Sequence, residues 1–299
     1  MATATATEIR PIKARMLGRR MKPWPHYVKR FFLYIIMIAL SVIFMVPLVW
    51  MLSTSLKTQG QVFAHPPIWI PRPIMWQNYI EVLSVAPILR WLSNTFIVTV
   101  SATLGTLISS SMVGFGFARL RFPGRGFLFG LLLATMMLPG IVTMIPTFIL
   151  FKTINWLDTF LPLIVPSYFG GGAYNIFLVR QFYLTIPTDF DDAARIDGAN
   201  NWTIWLRIML PLNAPVLTAI GIFSFVGHWN EFMGPLIYLF TEEKKTLALG
   251  LRGFVDPYLA SYHLNMAAAF YLTLPMIIIF FFGQRYFLKG VVMTGITGR

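Results

Sequence analysis

The 299-residue chain contains no cysteine. That excludes disulfides, thiolate metal sites and cysteine nucleophiles at once. It does not assign a compartment, because such a chain fits either redox environment. Charge is scarce as well. Only 12% of the residues are charged and 57% are hydrophobic, against about 25% and about 45–50% in soluble domains. Acidic residues are the rarest, 11 against 24 Lys and Arg. A compact soluble globule cannot cover so much apolar surface with so few charges, so the deficit points to the membrane. The four histidines do not fall at metal-ligand spacing. No GxxxxGK[ST] phosphate loop is present; Gly124-Arg125-Gly126 lacks the lysine and the spacing, and reads as a tight turn. No HExxH, clustered acids or Ser/His/Asp arrangement occurs in the apolar stretches. No catalytic residue, metal site or bound cofactor is expected, and the chain reads as a non-enzyme on its own.

What is there is a series of apolar runs. A helix needs about 20 such residues to cross about 30 Å of hydrocarbon. Six segments qualify, at 31–52, 91–117, 127–151, 160–183, 215–240 and 266–288. The fold class is therefore an all-α membrane protein with about six transmembrane helices. The first run is too long for the core of a signal peptide, about 7–15 residues, and no small-residue cleavage site follows it, so a retained helix is expected.

The excess of positive charge, +13, is explained by position. Lys and Arg cluster at the ends of the apolar runs, where the bias toward the cytoplasm places them. Alternating connections from the N-terminus carry 17 of the 24 cations. Both termini are thus expected in the cytoplasm. No nucleic-acid motif accompanies the charge, and no such partner is expected. The reading divides the chain into a basic tail (1–30), a first span (31–52), a Pro-rich external loop (53–89), a five-helix region (90–285) and a short C-terminal tail (286–299).

The connection at 186–212 stands apart. Four of the eleven carboxylates, Asp189, Asp191, Asp192 and Asp197, fall within nine residues. Thr188 or Asp189 suits an N-cap, and acids in the first turn suit the helix dipole. Gly198 is placed to end the helix in a left-handed cap. A second short helix is expected from Trp202 to Met209. Such a segment presents a docking surface outside the bilayer, or is a plain solvated loop.

The pattern Asp192-Ala193-Ala194, three residues, Gly198, nine residues, Ile208, one residue, Leu210-Pro211 resembles the EAA motif of binding-protein-dependent ABC importers. The departure is Asp192 where the motif has Glu. Further similarity is to the smaller permease of maltose-type, carbohydrate-uptake importers. It lies in Asn94-Thr95, Gly114-Phe115-Gly116-Phe117-Ala118-Arg119, Ile186-Pro187, Trp229-Asn230-Glu231-Phe232 and Gln284-Arg285-Tyr286-Phe287. The resemblance implies a type I ABC importer permease fold in a bacterial inner membrane. It implies a second permease subunit, two ATPase subunits that hold ATP and magnesium, and an external solute-binding protein. The 186–212 segment would be the coupling loop, with Asp192 meeting a basic residue of the ATPase. Ala193 and Ala194 would allow close approach, and Gly198 would turn the chain. The implied solute is a sugar, a polyol or glycerol phosphate.

Asn94, Trp229, Asn230 and Glu231 are the candidates for the solute path. Amides and carboxylates bond hydroxyls, and aromatic faces stack on sugar rings. Glu231 stands out because a carboxylate inside a span is costly. Each also has a structural reading, as interhelical glue or an interface anchor. His228 reads as a packed polar residue, and Gly170-Gly171-Gly172 as a stretch that loosens its helix or lets helices approach. The loop at 241–265 is expected to face the binding protein. The competing reading, an ion- or proton-coupled secondary transporter, needs paired intramembrane titratable groups, and the spans offer only Glu231 and His228.

Overall fold

The computed structural model describes residues 24–254 and 261–295. The basic residues Arg10 to Lys22, the loop residues Asp256 and Tyr258, and the last four residues lie outside the described residues. Residues 1–49 form one unit and residues 50–299 a second. All regular structure among the described residues is helical.

In the first unit the helix Trp24–Ser55 begins, and its apolar side chains from Phe31 to Val46 are largely exposed. Exposed Phe, Ile and Met on every face is what a helix surrounded by hydrocarbon requires.

The second unit is built on the helix Ile88–Arg119, called here the central helix. At about 1.5 Å per residue it is ample to cross a bilayer. Its buried face is made of small residues: Thr95, Thr99, Ala102, Thr106, Ser110 and Gly114. Small residues let backbones approach closely. A Cβ on Gly114 would sit 2.6 Å from Val179 Cγ1, and one on Gly105 2.5 Å from the Tyr168 ring. The helix Ala173–Thr185 lies against this face, with Ala214–Trp229 beside it.

Each of the six apolar runs carries helix, but among the described residues three form continuous rods long enough to span: Val28–Ser55, Ile88–Arg119 and Tyr262–Phe281. Arg125–Thr135 and Gly140–Thr153 meet at 100°. The break falls at Pro139, which lacks an N–H and holds extended backbone. The run at 160–183 becomes two short turns, Leu161–Ile164 and Val165–Tyr168, and then the helix Ala173–Thr185. Gly170, Gly171 and Gly172 all have positive φ between them. The triple glycine therefore interrupts the helix, beyond the loosening expected of it. At Gly171 it also allows the close approach to the central helix that was the other expectation, with 2.7 Å from a Cβ position to the Thr106 carbonyl oxygen. Asn201–Leu212 and Ala214–Trp229 form the second bent pair, at 77°.

The Pro-rich segment after the first helix is folded. Asn78 is buried and donates both amide hydrogens, to the carbonyls of Ser55 and Lys57, each at 2.8 Å. Lys57 is itself buried, with its Nζ 3.8 Å from the centre of the Trp50 ring. Burial lowers the Lys57 pKa, and the ring face offsets part of that cost. Two apolar cores hold the unit. One joins Val82, Ile88 and Trp91 to Leu247, Leu264 and Ala268. The other joins Phe115, Val179 and Tyr183 to Ala194, Met209 and Ile220. The first sits at the start of the central helix and the second at its end.

Candidate functional site

The acidic segment forms the helix Asp189–Ile196. Thr188 precedes it, and its carbonyl accepts the N–H groups of Asp191 at 2.8 Å and Asp192 at 3.1 Å. The Thr188 side chain makes no capping bond. Asp189, Asp191 and Asp192 occupy the first turn, facing the positive end of the helix dipole. At the other end Gly198 has φ +80°. Gly198 N–H donates to the Arg195 carbonyl at 3.0 Å and Ala199 N–H to that of Ala194 at 2.9 Å, which closes a Schellman motif.

Asn200 starts the next turn, accepting from Thr203 N–H at 2.9 Å and from its hydroxyl at 3.0 Å. The second helix expected at 202–209 is present in a different form. Asn201–Thr203 passes into a π-helical turn, Ile204–Met209, and continues through Leu210–Leu212. Met209 is fully buried, Ile208 and Leu210 are half-buried, and Pro211 is exposed. Ile208 packs against the core that holds Ala194.

The helix sorts its residues by face. Asp192 and Ala193 are exposed, with Phe190, Ile196 and, on the following turn, Trp202. Asp191 and Ala194 point inward. Asp191 Oδ2 lies 3.0 Å from Arg119 Nε, with the two side chains 9% and 6% exposed. Arg119 Nη2 also donates to the Ile186 carbonyl at 2.6 Å. Burial pushes the Asp191 carboxyl up, with Arg119 and Arg195 pulling it down. Asp191 and Ala194 share a face at i, i+3, but which face turns inward is set by the arrival of Arg119 from the central helix.

The solute-path candidates separate. Asn94 is buried, and its amide donates to the carbonyls of Glu243 at 2.7 Å and Lys245 at 2.9 Å. Trp91 Nε1 donates to the Glu242 carbonyl at 2.8 Å, and Leu247 N–H to Thr95 Oγ1 at 2.8 Å. Together these pin the 242–247 loop to the start of the central helix. Trp229 is 1% exposed, stacks on Phe225 and donates to the Leu272 carbonyl at 3.0 Å. It joins two helices. Asn230 is exposed and bonds back to the Val226 carbonyl at 2.9 Å.

Glu231 lies in the break after Ala214–Trp229, not within a continuous span. Its Oε1 accepts Gly234 N–H at 2.9 Å, capping the helix Met233–Tyr238. It also lines an open cleft of about 330 Å³ with Thr143, Met144, Thr147, Ile237 and Tyr238. Of the four candidates it is the one that combines exposure with a cavity. Among the described residues no group of three His, Asp or Glu is placed to hold a metal.

Asp158, which carried no signal in the sequence, organises the neighbouring loop. Its Oδ1 accepts the N–H groups of Phe240 at 2.9 Å and Thr241 at 3.0 Å, and its Oδ2 pairs with Lys244 Nζ at 3.0 Å. Burial alone would raise this carboxyl, but donors from Thr241, Phe240 and Lys244 outweigh it and hold its pKa well below the usual carboxylate range. A depressed folded-state pKa adds stability above the unfolded value, about 3.9, and that stability is lost as pH falls below it. The melting temperature of the detergent-solubilised protein should therefore fall progressively below about pH 4. The Asp158→Asn variant should be less stable at neutral pH and show a shallower acid dependence. Identical acid profiles for the two proteins would refute this role.

Residues 105–292 match the family described as binding-protein-dependent transport system inner membrane component. The chain is 33% identical over 277 residues to the arabinooligosaccharides transport system permease protein AraQ of Bacillus subtilis (strain 168), covering 91% of this chain and 97% of that one. It is 31% identical to the sn-glycerol-3-phosphate transport system permease protein UgpE of Brucella abortus (strain 2308), covering 87% of this chain and 95% of the relative. A crystal structure of a bacterial ABC transporter involved in the import of the acidic polysaccharide alginate contains a chain of the same fold. Its TM-score is 0.77 at 22% identity, covering 89% of this chain and 99% of that one.

Proposed function

Since the chain belongs to the family of binding-protein-dependent transport system inner membrane components, we propose that it forms half of an import path for an oligosaccharide or a related polyol or glycerol-phosphate solute. It is a multi-pass membrane permease subunit of an ABC importer. The solute class is supported by the relatives, named for arabino-oligosaccharides and for glycerol 3-phosphate. The cleft beside Glu231 offers a carboxylate and threonine hydroxyls, donors and acceptors suited to a hydroxyl-rich solute.

The observation that carries the coupling role is the acidic helix. It exposes Asp192 and Ala193 beside Phe190 and Ile196, while its buried side is fastened to the bundle. Exposed apolar side chains set among the exposed carboxylates Asp189, Asp192 and Asp197 fit a groove on a separate ATPase subunit that carries basic residues. ATP and magnesium belong to that subunit, and this chain binds no cofactor. A second permease completes the pathway, and an external binding protein delivers the solute. Both termini face the cytoplasm, and the membrane is the bacterial inner membrane.

The test is reconstitution with the partner permease, the ATPase and the binding protein. Uptake of labelled arabino-oligosaccharide or glycerol 3-phosphate should require ATP and survive dissipation of the proton gradient. Uptake without ATP that collapses with the gradient would favour a secondary transporter instead. Within the same assay, Glu231→Gln should raise the KM for uptake about fivefold or more, the loss of roughly 1 kcal/mol from a charged hydrogen bond. An unchanged KM with a lowered melting temperature would leave Glu231 only its capping role.

A further inference from the structure

We infer that the buried ion pair between Arg119 and Asp191 is the joint that carries movement of the acidic helix into the central helix. The inference rests on the reading of the chain as an ATP-driven importer subunit.

Arg119 is the last residue of the central helix. Its guanidinium holds the acidic segment at two points, the Ile186 carbonyl before the helix and the Asp191 carboxylate in its first turn. Between Thr185 and Asp189 the chain is not helical. Without the guanidinium this stretch would be a free hinge, and a push on the acidic helix would be absorbed there. The second Asp191 oxygen is buried and has no hydrogen-bond partner, so its charge is compensated by the ion pair with Arg119 at 3.0 Å, with Arg195 contributing from further off. Burial also removes the pair from screening by salt. The exposed link between Arg195 and Asn201, at 3.1 Å, has no such protection.

An ion pair suits this task better than an apolar contact. Buried pairs add little net stability, but they specify one geometry, because losing either partner strands a charge. The central helix then distributes the displacement. Its Gly114 is seated against Val179, so its end cannot move without the helix Ala173–Thr185. Packed interfaces of this kind move between discrete arrangements and do not deform continuously. Arg119 and Asp191 are positioning residues; they touch neither solute nor nucleotide.

The experiment measures solute imported per ATP hydrolysed in the reconstituted transporter. Asp191→Asn and Arg119→Gln should each lower this ratio about threefold to thirtyfold while the ATPase remains bound and active. Glu81→Gln removes an exposed carboxylate outside the acidic segment and should leave the ratio unchanged. A normal ratio in the first two variants, or an equal fall in the third, would overturn the joint. Because the chain has no cysteine, Arg119→Cys with Asp191→Cys provides a second arm that does not depend on the single variants assembling. The open dithiol should be uncoupled, and a short thiol-reactive bridge across it should restore the ratio. A bridged protein that stays uncoupled would also overturn the inference. Absence of ATP-driven uptake in the unmodified complex would instead refute the importer reading itself.

Discussion

Asp192→Lys is expected to abolish ATP-driven uptake, by about a hundredfold or more, while leaving the protein inserted and folded. The reasoning starts from exposure. Asp192 stands on the outer face of the acidic helix, beside exposed Ala193. Reversing a first-turn charge there costs the fold about 1–2 kcal/mol through the helix dipole, too little to unfold it. Reversing the charge opposite a basic docking groove is far more costly, because juxtaposed like charges cost several kcal/mol. The ATPase should also co-purify more weakly. Thermal unfolding in detergent and uptake by the reconstituted complex separate the two effects. Wild-type uptake in this variant would remove Asp192 from the coupling surface. The adjacent Asp191→Lys should behave differently. It would bury an ammonium against Arg119, the partner 3.0 Å away, and strand two like charges in the core.

The second large effect is expected at a position with no chemistry at all. Gly171 has φ +58°, and a Cβ there would lie 2.7 Å from both Ser109 Oγ and the Thr106 carbonyl oxygen, and 2.9 Å from Ser110 N. Two of those atoms are backbone of the central helix and cannot rotate away. Gly171→Val combines a left-handed backbone cost of about 1–2 kcal/mol with overpacking of about 1–3 kcal/mol. That total is a large share of a typical folding free energy of about 5–15 kcal/mol. The variant should melt well below the wild type or fail to yield monodisperse protein. Gly170→Ala is the comparison, since nothing lies within 4 Å of its Cβ despite φ +138°; it should lose less. A wild-type melting curve for Gly171→Val would contradict the packing of this turn.

The two cases show what could be read before any coordinates. The acidic helix was legible from residue chemistry, including its start near Thr188 and its left-handed end at Gly198. These are local effects, set by caps and dipoles within one or two turns. The neighbours Asp191 and Asp192 were not separable. Helical spacing places them about 100° apart, but the side that faces the bundle depends on where Arg119 arrives, 72 residues earlier in the chain. Asn94 and Trp229 looked like solute ligands because amides and aromatics serve that role. Their carbonyl partners, in the 243–245 loop and at Leu272, are tertiary neighbours that no local pattern reveals. Asp158 was overlooked for the same reason.

Scarce charge and abundant apolar residues determined the solvent of this protein. The length of the apolar runs set which segments are membrane helices, because transfer into hydrocarbon depends on composition summed over about 20 residues. The acidic run marked a short helix outside the apolar runs. Whether each apolar run became a rod or a bent pair was decided only in the folded state. So was which of two adjacent aspartates faces outward and which pairs with Arg119 inside. The physical reason is common to both: a buried polar group must find its partner wherever the fold brings one, and that partner is set by packing across the bundle.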